Sequence, residues 1–238
     1  MVLGELADLV LPGVCAGCGA ERVRLTYGTC AGCVAELERL RPRVAVPTPP
    51  PAGFPSCVAV GAYGGALRGA LLAYKEKGRH RLARPLGALL AGAVAALAPR
   101  DRPVTLIPVP STSAARRERY GDHMARLAGH AARRLRTAGY RVDVVQPLRA
   151  LPRPDSTSLD ASERATVAVN SLRMTPRISV LRRDGRSRGT LVVADDIVTT
   201  GATLAAVARR LEEADMQVTG AAVLAATQLR GTRPGIGL

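Results

Sequence analysis

Leu191-Val-Val-Ala-Asp-Asp-Ile-Val-Thr-Thr-Gly-Ala-Thr-Leu204 narrows the possible folds more than any other stretch of the chain. Leu191 to Ala194 is an apolar run of strand length. Two carboxylates follow at once, and burying them is costly unless a polar partner meets them. Thr199-Thr200-Gly201-Ala202-Thr203 is a turn of small residues, and Leu204-Ala-Ala-Val-Ala-Arg-Arg-Leu211 has helical spacing. A turn opening a helix presents free N–H groups and the positive end of the helix dipole, which suits a phosphate. Two aspartates just upstream can accept hydrogen bonds from a vicinal diol. A ribose 5-phosphate carries both groups.

The surrounding pattern predicts a mostly parallel sheet with helices on its faces. Strands are expected at Cys57–Tyr63, Val104–Pro110, Arg141–Val145, Thr190–Ala194 and Val218–Leu224, with a weaker strand near Ser171–Met174. Helices are expected at Ala66–Tyr74, Leu82–Leu97, Met124–Ala138 and Leu204–Ala214. Such alternation implies an α/β fold, whose ligands sit beyond the carboxyl ends of strands. Residues 149–189 read as a polar stretch broken by Pro, Gly and Ser.

Upstream lies Cys15-x2-Cys18, then eleven residues, then Cys30-x2-Cys33, with Gly17, Gly19, Gly28 and Gly32 in and around the pairs. The spacing reads as a tetrahedral four-cysteine zinc site. Two disulfides or unrelated thiols are the alternatives, and the absence of a secretory leader in Met1-Val-Leu-Gly-Glu-Leu-Ala-Asp argues against disulfides. Four thiolates leave no open position on the ion, so the zinc would be structural. Cys57 falls outside the pattern and reads as an ordinary apolar residue. Four prolines between Pro47 and Pro51 mark an extended linker. The expected organisation is therefore a zinc module over 1–45, a linker over 46–56 and an α/β domain over 57–238.

The chain has a formal charge of +15, and Lys75 and Lys77 are its only lysines. An Arg-rich excess fits either a polyanionic partner, such as nucleic acid or phosphate, or the composition of a GC-rich genome. The apolar run Pro85–Pro99 is too short to span a bilayer, so a cytoplasmic protein without membrane insertion is expected.

Val192 to Leu204 resembles the PRPP-binding signature of type I phosphoribosyltransferases. That resemblance implies that Asp195 and Asp196 are the catalytic carboxylates, set on the ribose hydroxyls. It places Thr199, Thr200, Gly201, Ala202 and Thr203 around the 5′-phosphate, and implies Mg2+ arriving with PRPP. The chain is similar in particular to the ComF (competence protein F) branch, which carries an N-terminal four-cysteine module. Tyr63-Gly-Gly-Ala-Leu-Arg68, Leu72-Ala-Tyr-Lys-Glu-Lys-Gly78, Ile107-Pro-Val-Pro110, Arg116-Arg-Glu-Arg-Tyr-Gly-Asp-His123 and Leu159–Arg164 match that branch's segments. By resemblance Lys75 meets pyrophosphate; a solvated helix end is its alternative. Arg119 is a phosphate contact in the basic loop, with Arg116 and Arg117 beside it, or else part of an arginine-rich surface. Arg164 lies on a segment that closes over the site, or on a flexible loop.

Three positions depart from the branch. Arg119-Tyr-Gly-Asp-His123 stands for its Arg-Gly-Phe-Asn-Gln, Ser156 for a Gln, and Val167 for an Asn. The acceptor side is thus divergent while the diol and phosphate residues are intact. His123 reads as a surface histidine, with a general base as the alternative, and His80 and His130 show no partner. Two functions follow: a Mg-dependent transferase moving ribose 5-phosphate from PRPP to a nitrogenous acceptor, or a PRPP-binding module serving DNA uptake with single-stranded DNA as partner. The zinc module and the charge favour the second.

Overall fold

The computed structural model describes residues 13–119, 121–152, 161–177 and 189–227, with the side chains of 161–165 left aside. The amino-terminal stretch read for a leader, Tyr120, and most of the segment read as a lid lie outside the described residues.

The fold is α/β. Six strands form one sheet in the order β3 (Arg43–Val44), β4 (Cys57–Ala62), β10 (Gly220–Ala226), β9 (Thr190–Val198), β5 (Val104–Pro108), β6 (Val142–Val144). All neighbours are parallel except β3, which runs antiparallel to β4. A β-branched and alanine-rich strand buried on both faces needs cover on both sides. Val192 and Ala194 face a core shared with α2 (Gly65–Glu76), α3 (Ala83–Ala95) and α5 (His123–Thr137). Leu191 and Val193 face a second core, which includes Leu204, Val207 and Leu211 of α7 (Ala202–Glu212). Alternate residues of one strand therefore serve opposite layers. A separate antiparallel ribbon pairs β7 (Leu148–Ala150) with β8 (Leu172–Met174).

Two helices fall in segments that read as loops. Ser113–Glu118 forms α4 within the basic stretch, started by Thr112, whose Oγ1 accepts from the Ala115 N–H at 3.2 Å. Ala161–Asn170 forms α6 within the polar segment. Among its described side chains, Ala168 and Val169 are the buried ones, which leaves little apolar periodicity to read. No described helix is long and apolar enough to cross a membrane.

The cysteine pairs flank a short ribbon, β1 (Leu25–Thr26) with β2 (Thr29–Cys30), turned by Tyr27 and Gly28 at φ 51° and 86°. Two successive positive φ values are what a two-residue hairpin turn requires. Helix α1 (Ala31–Glu38) follows directly. Cys15, Ala16, Cys33 and Leu37 are buried in the same core as α2 and α3, so the four-cysteine segment packs against those helices. Glu36 Oε1 accepts from the Ala66 N–H at 2.8 Å. Gly64, at the N-cap of α2, has no side chain to do this, and a carboxylate there also suits the helix dipole.

The seam is closest at Gly69. A Cβ there would lie 2.0 Å from the Gly17 carbonyl oxygen and 2.7 Å from that of Ala16. Both are backbone atoms and cannot swing aside. Gly69→Ala is expected to cost about 2 kcal/mol, as overpacking typically does, lowering the melting temperature by roughly 6 °C. Thermal unfolding beside Gly129→Ala, where a Cβ meets nothing within 4 Å, checks it; equal melting temperatures would refute the tight seam.

Candidate functional site

The order of connections locates a crevice. The chain leaves β5 outward to β6, and leaves β9 in the opposite direction to β10. Their helices cover opposite faces, α5 with the first core and α7 with the second. A gap at the carboxyl ends of two such strands is where open α/β sheets bind ligands.

β9 does not end at Ala194, as its apolar run suggests, but continues to Val198. Pairing with β5 stops at Ala194, opposite Pro108, while β10 carries pairing through Val198. From Asp195 onward one edge of β9 is therefore free of β5. The two carboxylates sit on that free edge, on an extended strand rather than in a turn, and leave it on opposite faces.

Asp196 is buried on the side of α2 and α5. Its Oδ2 lies 2.8 Å from Lys75 Nζ and 3.1 Å from His123 Nε2. Burial alone would favour the neutral carboxyl. The His123 hydrogen bond and the Lys75 ammonium outweigh it and hold Asp196 below the usual carboxylate range. Asp195 is half-buried, and its Oδ1 accepts from the Asp196 N–H at 2.9 Å. Burial, reinforced by the neighbouring Asp196 charge, pushes its carboxyl up to about 8. Cys57, buried on the second-core side, has its thiol pushed up to about 12 by burial and by Asp195. Each aspartate thus commits one oxygen to the protein. Among the described residues, no hydrogen bond reaches Asp196 Oδ1 or Asp195 Oδ2.

The turn beyond β9 exposes Thr199 and Thr200, and Gly201 adopts a left-handed φ of 77° as N-cap of α7. Thr200 Oγ1 accepts from the Ala202 N–H at 3.4 Å. Gly201 is required twice over: by its φ, and because a Cβ would meet the Phe54 ring at 2.6 Å and Pro47 Cγ at 2.9 Å. The proline-rich segment therefore packs against the turn, as well as connecting the module to the sheet. Ala202 and Thr203 open α7 with their N–H groups toward its start.

Lys75 and Asp196, both singled out in the sequence, meet. Arg119 stands one residue past α4, half-buried, and its side chain makes no hydrogen bond or ion pair among the described residues. Arg164 falls on α6, within the side chains left aside. His123 corrects the surface reading: it is buried, stands at the first position of α5 and touches Asp196. His80 also has a partner, since Arg126 Nη1 lies 2.9 Å from its Nδ1. Two residues that depart from the branch pattern, Asp122 and His123, have partners here. Asp122 caps α5 through the Ala125 N–H at 3.0 Å and accepts from Gln146 Nε2 at 3.2 Å.

The four sulfurs of Cys15, Cys18, Cys30 and Cys33 lie within 4.8 Å of one another. Cys15 and Cys33 Sγ are 3.7 Å apart, and Cys18 and Cys30 3.8 Å. Sulfurs about 2.3 Å from a tetrahedral zinc are separated by about 3.8 Å, whereas a disulfide needs about 2.05 Å. Burial disfavours the Cys15 thiolate, but the N–H groups of Cys18, Cys30 and Gly17 outweigh it and bring the thiol down to about 6. Burial and the other three sulfurs push Cys33 well up. The cluster therefore has the donor set and spacing of a metal site.

Residues 125–234 match the family model of the phosphoribosyl transferase domain. That span contains the acidic pair, the turn and α7. It leaves Lys75, Arg119, His123 and the four cysteines outside. No curated protein matches the chain. The chain thus carries a phosphoribosyl transferase domain, on an α/β fold, behind a four-cysteine cluster.

Proposed function

We propose that this chain is a ComF-like protein that binds PRPP or a ribose 5-phosphate ligand in the β5–β9 crevice. The observation that carries the reading is the pair of uncommitted oxygens, Asp195 Oδ2 and Asp196 Oδ1, on the free edge of β9 just before a glycine turn that opens a helix. The ribose hydroxyls donate to the aspartates. The 5′-phosphate accepts from the turn at Thr199, Thr200, Gly201, Ala202 and Thr203. Lys75, Arg119 and Arg164 meet the remaining phosphates. Open carboxylate oxygens are hard donors of the kind Mg2+ takes, and Mg2+ would neutralise charge on the pyrophosphate. The cysteine cluster holds one structural Zn2+. The organisation we favour is the zinc module over 1–45, the proline-rich linker over 46–56 and the phosphoribosyltransferase-like domain over 57–238, in the cytoplasm.

The intended role is support of DNA uptake, with single-stranded DNA as partner; this rests on the ComF resemblance and the charge of +15. Transfer to a nitrogenous acceptor is the alternative, in which Asp195 and Asp196 would be catalytic by positioning the ribose and stabilising developing charge. Ribose 5-phosphate and Mg-PRPP are expected to give saturable heats in isothermal titration at up to millimolar ligand. Pyrophosphate release over a panel of purine and pyrimidine bases is expected to stay at the level of Asp195→Asn. Absence of binding by both ligands would sink the reading; robust turnover abolished by Asp195→Asn would make the transferase the function.

A further inference from the structure

We propose that His123 is a positioning residue of this site: it holds Asp196 by Oδ2 so that Oδ1 stays presented to a ligand hydroxyl. The role rests on the ribose-phosphate reading and adds to it a residue that lies outside the matched family span.

His123 is 7% exposed, too buried for a solvated side chain. Its place is fixed from several sides. The Asp122 cap sets the start of α5, and Tyr74 Oη donates to the His123 carbonyl at 2.9 Å. Ser111 Oγ lies 3.4 Å from Nδ1. Nε2 then has one acceptor, Asp196 Oδ2, and a carboxylate oxygen requires that this nitrogen carry the proton.

Lys75 contacts the same oxygen, so the need for a second donor has to be explained. Lys75 comes from the last turn of α2 on a long, rotatable stem and is about a fifth exposed. An incoming phosphate competes with Asp196 for its ammonium. If Lys75 were the sole partner, its transfer to the ligand would leave a buried carboxylate unpaired, which is strongly unfavourable. His123 is short, buried and anchored, and it cannot follow. It keeps Asp196 partnered and oriented while Lys75 turns to the pyrophosphate of PRPP; with ribose 5-phosphate, whose one phosphate goes to the turn, the same contact keeps Oδ1 aimed at the ribose hydroxyls.

The test uses the full chain with ribose 5-phosphate and inorganic phosphate as calorimetric probes, and 1H NMR of the ligand-free protein. A hydrogen-bonded imidazole N–H resonance is expected downfield, absent in His123→Gln and moved in Asp196→Asn. His123→Ala is expected to weaken ribose 5-phosphate about tenfold, the scale of one hydrogen bond to a charged group, with inorganic phosphate changed by less than about twofold. His123→Gln, which restores an N–H donor, should recover most of the loss. Unchanged ribose 5-phosphate affinity in His123→Ala, with normal wild-type binding, overturns the role alone. Equal losses for both probes also overturn it, because the residue would then merely support the fold. Wild-type protein that keeps the N–H resonance but binds neither probe overturns the ribose-phosphate function, and this role with it.

Discussion

Cys15→Ser is expected to strip the metal and unseat the amino-terminal module. Zinc content should fall from about one per chain to below about 0.1, because a serine hydroxyl does not replace a thiolate at a four-sulfur site. Among its described residues, the apolar ones buried in the first core are Cys15, Ala16, Cys33 and Leu37, and they are shared with α2 rather than forming a core of their own. Two of these four belong to the four-cysteine cluster. A segment this small folds only with a metal or a partner surface. The Cys15 sulfur also accepts the Cys30 N–H at 3.2 Å, so the ribbon loses an anchor with the ion. We expect the melting temperature to drop by about 10 °C, corresponding to ~3–4 kcal/mol for a chain of this size. The loss should reach the crevice, because Glu36 of the module caps α2 at Ala66 and Lys75 ends that helix against Asp196. Elemental analysis with thermal unfolding decides it, and Cys57→Ser is the control that keeps its metal. Full zinc retention in Cys15→Ser, or none in wild type, would overturn the assignment.

The residues that announce the site in the sequence are those whose chemistry is local. The cysteine pairs are legible because knuckle spacing fixes which sulfurs meet, and the sulfurs do cluster. The Thr-Gly turn is legible because Gly201 must take a positive φ where a strand gives way to a helix. Most strands and helices follow from apolar periodicity for the same reason. What depends on distant pairing is not visible. Nothing near Ala194 shows that β10 extends β9 by four residues, because that information lies in Val223–Ala226. His123 reads as a surface residue because its partner is 73 positions away. Nothing in the sequence links Glu36 to the Ala66 N–H it accepts, 30 positions away. Pro47 and Phe54 read as part of a spacer, yet they seat against Gly201. One signal does point to His123: it follows Asp122, a helix-capping residue, immediately after the basic loop that leads from the strand end into the site.

Asp195→Asn is expected to stabilise the ligand-free protein while removing most of its ligand affinity. The folded chain raises the Asp195 carboxyl to about 8, through burial and then through the Asp196 charge. An unfolded Asp ionises near 4, so between pH ~4 and about 8 the folded chain holds a proton that the unfolded chain has released. Stability therefore falls as pH rises across that window, and Asp195 contributes against the fold at pH 8. Asp196 has the opposite sign: its carboxyl is held low, so its contribution is present above pH ~4 and is lost on acidification below that. Asparagine has no ionisation to oppose folding and retains an oxygen able to accept the Asp196 N–H. We expect Asp195→Asn to raise the melting temperature by about 3 °C at pH 8, which is ~1 kcal/mol, with little change at pH 5. Ribose 5-phosphate should bind about a hundredfold more weakly, since the anionic acceptor on the free edge of β9 is gone and hydrogen bonds to charged groups are the stronger ones. Thermal unfolding across pH 5 to 8 with calorimetry at pH 8 reads both effects. A variant less stable than wild type at pH 8 would mean that Asp195 supports the fold, and its charge would then need no ligand to explain it. The opposite pattern, a more stable protein that no longer binds, marks a carboxylate kept at a cost to the fold for the sake of its ligand.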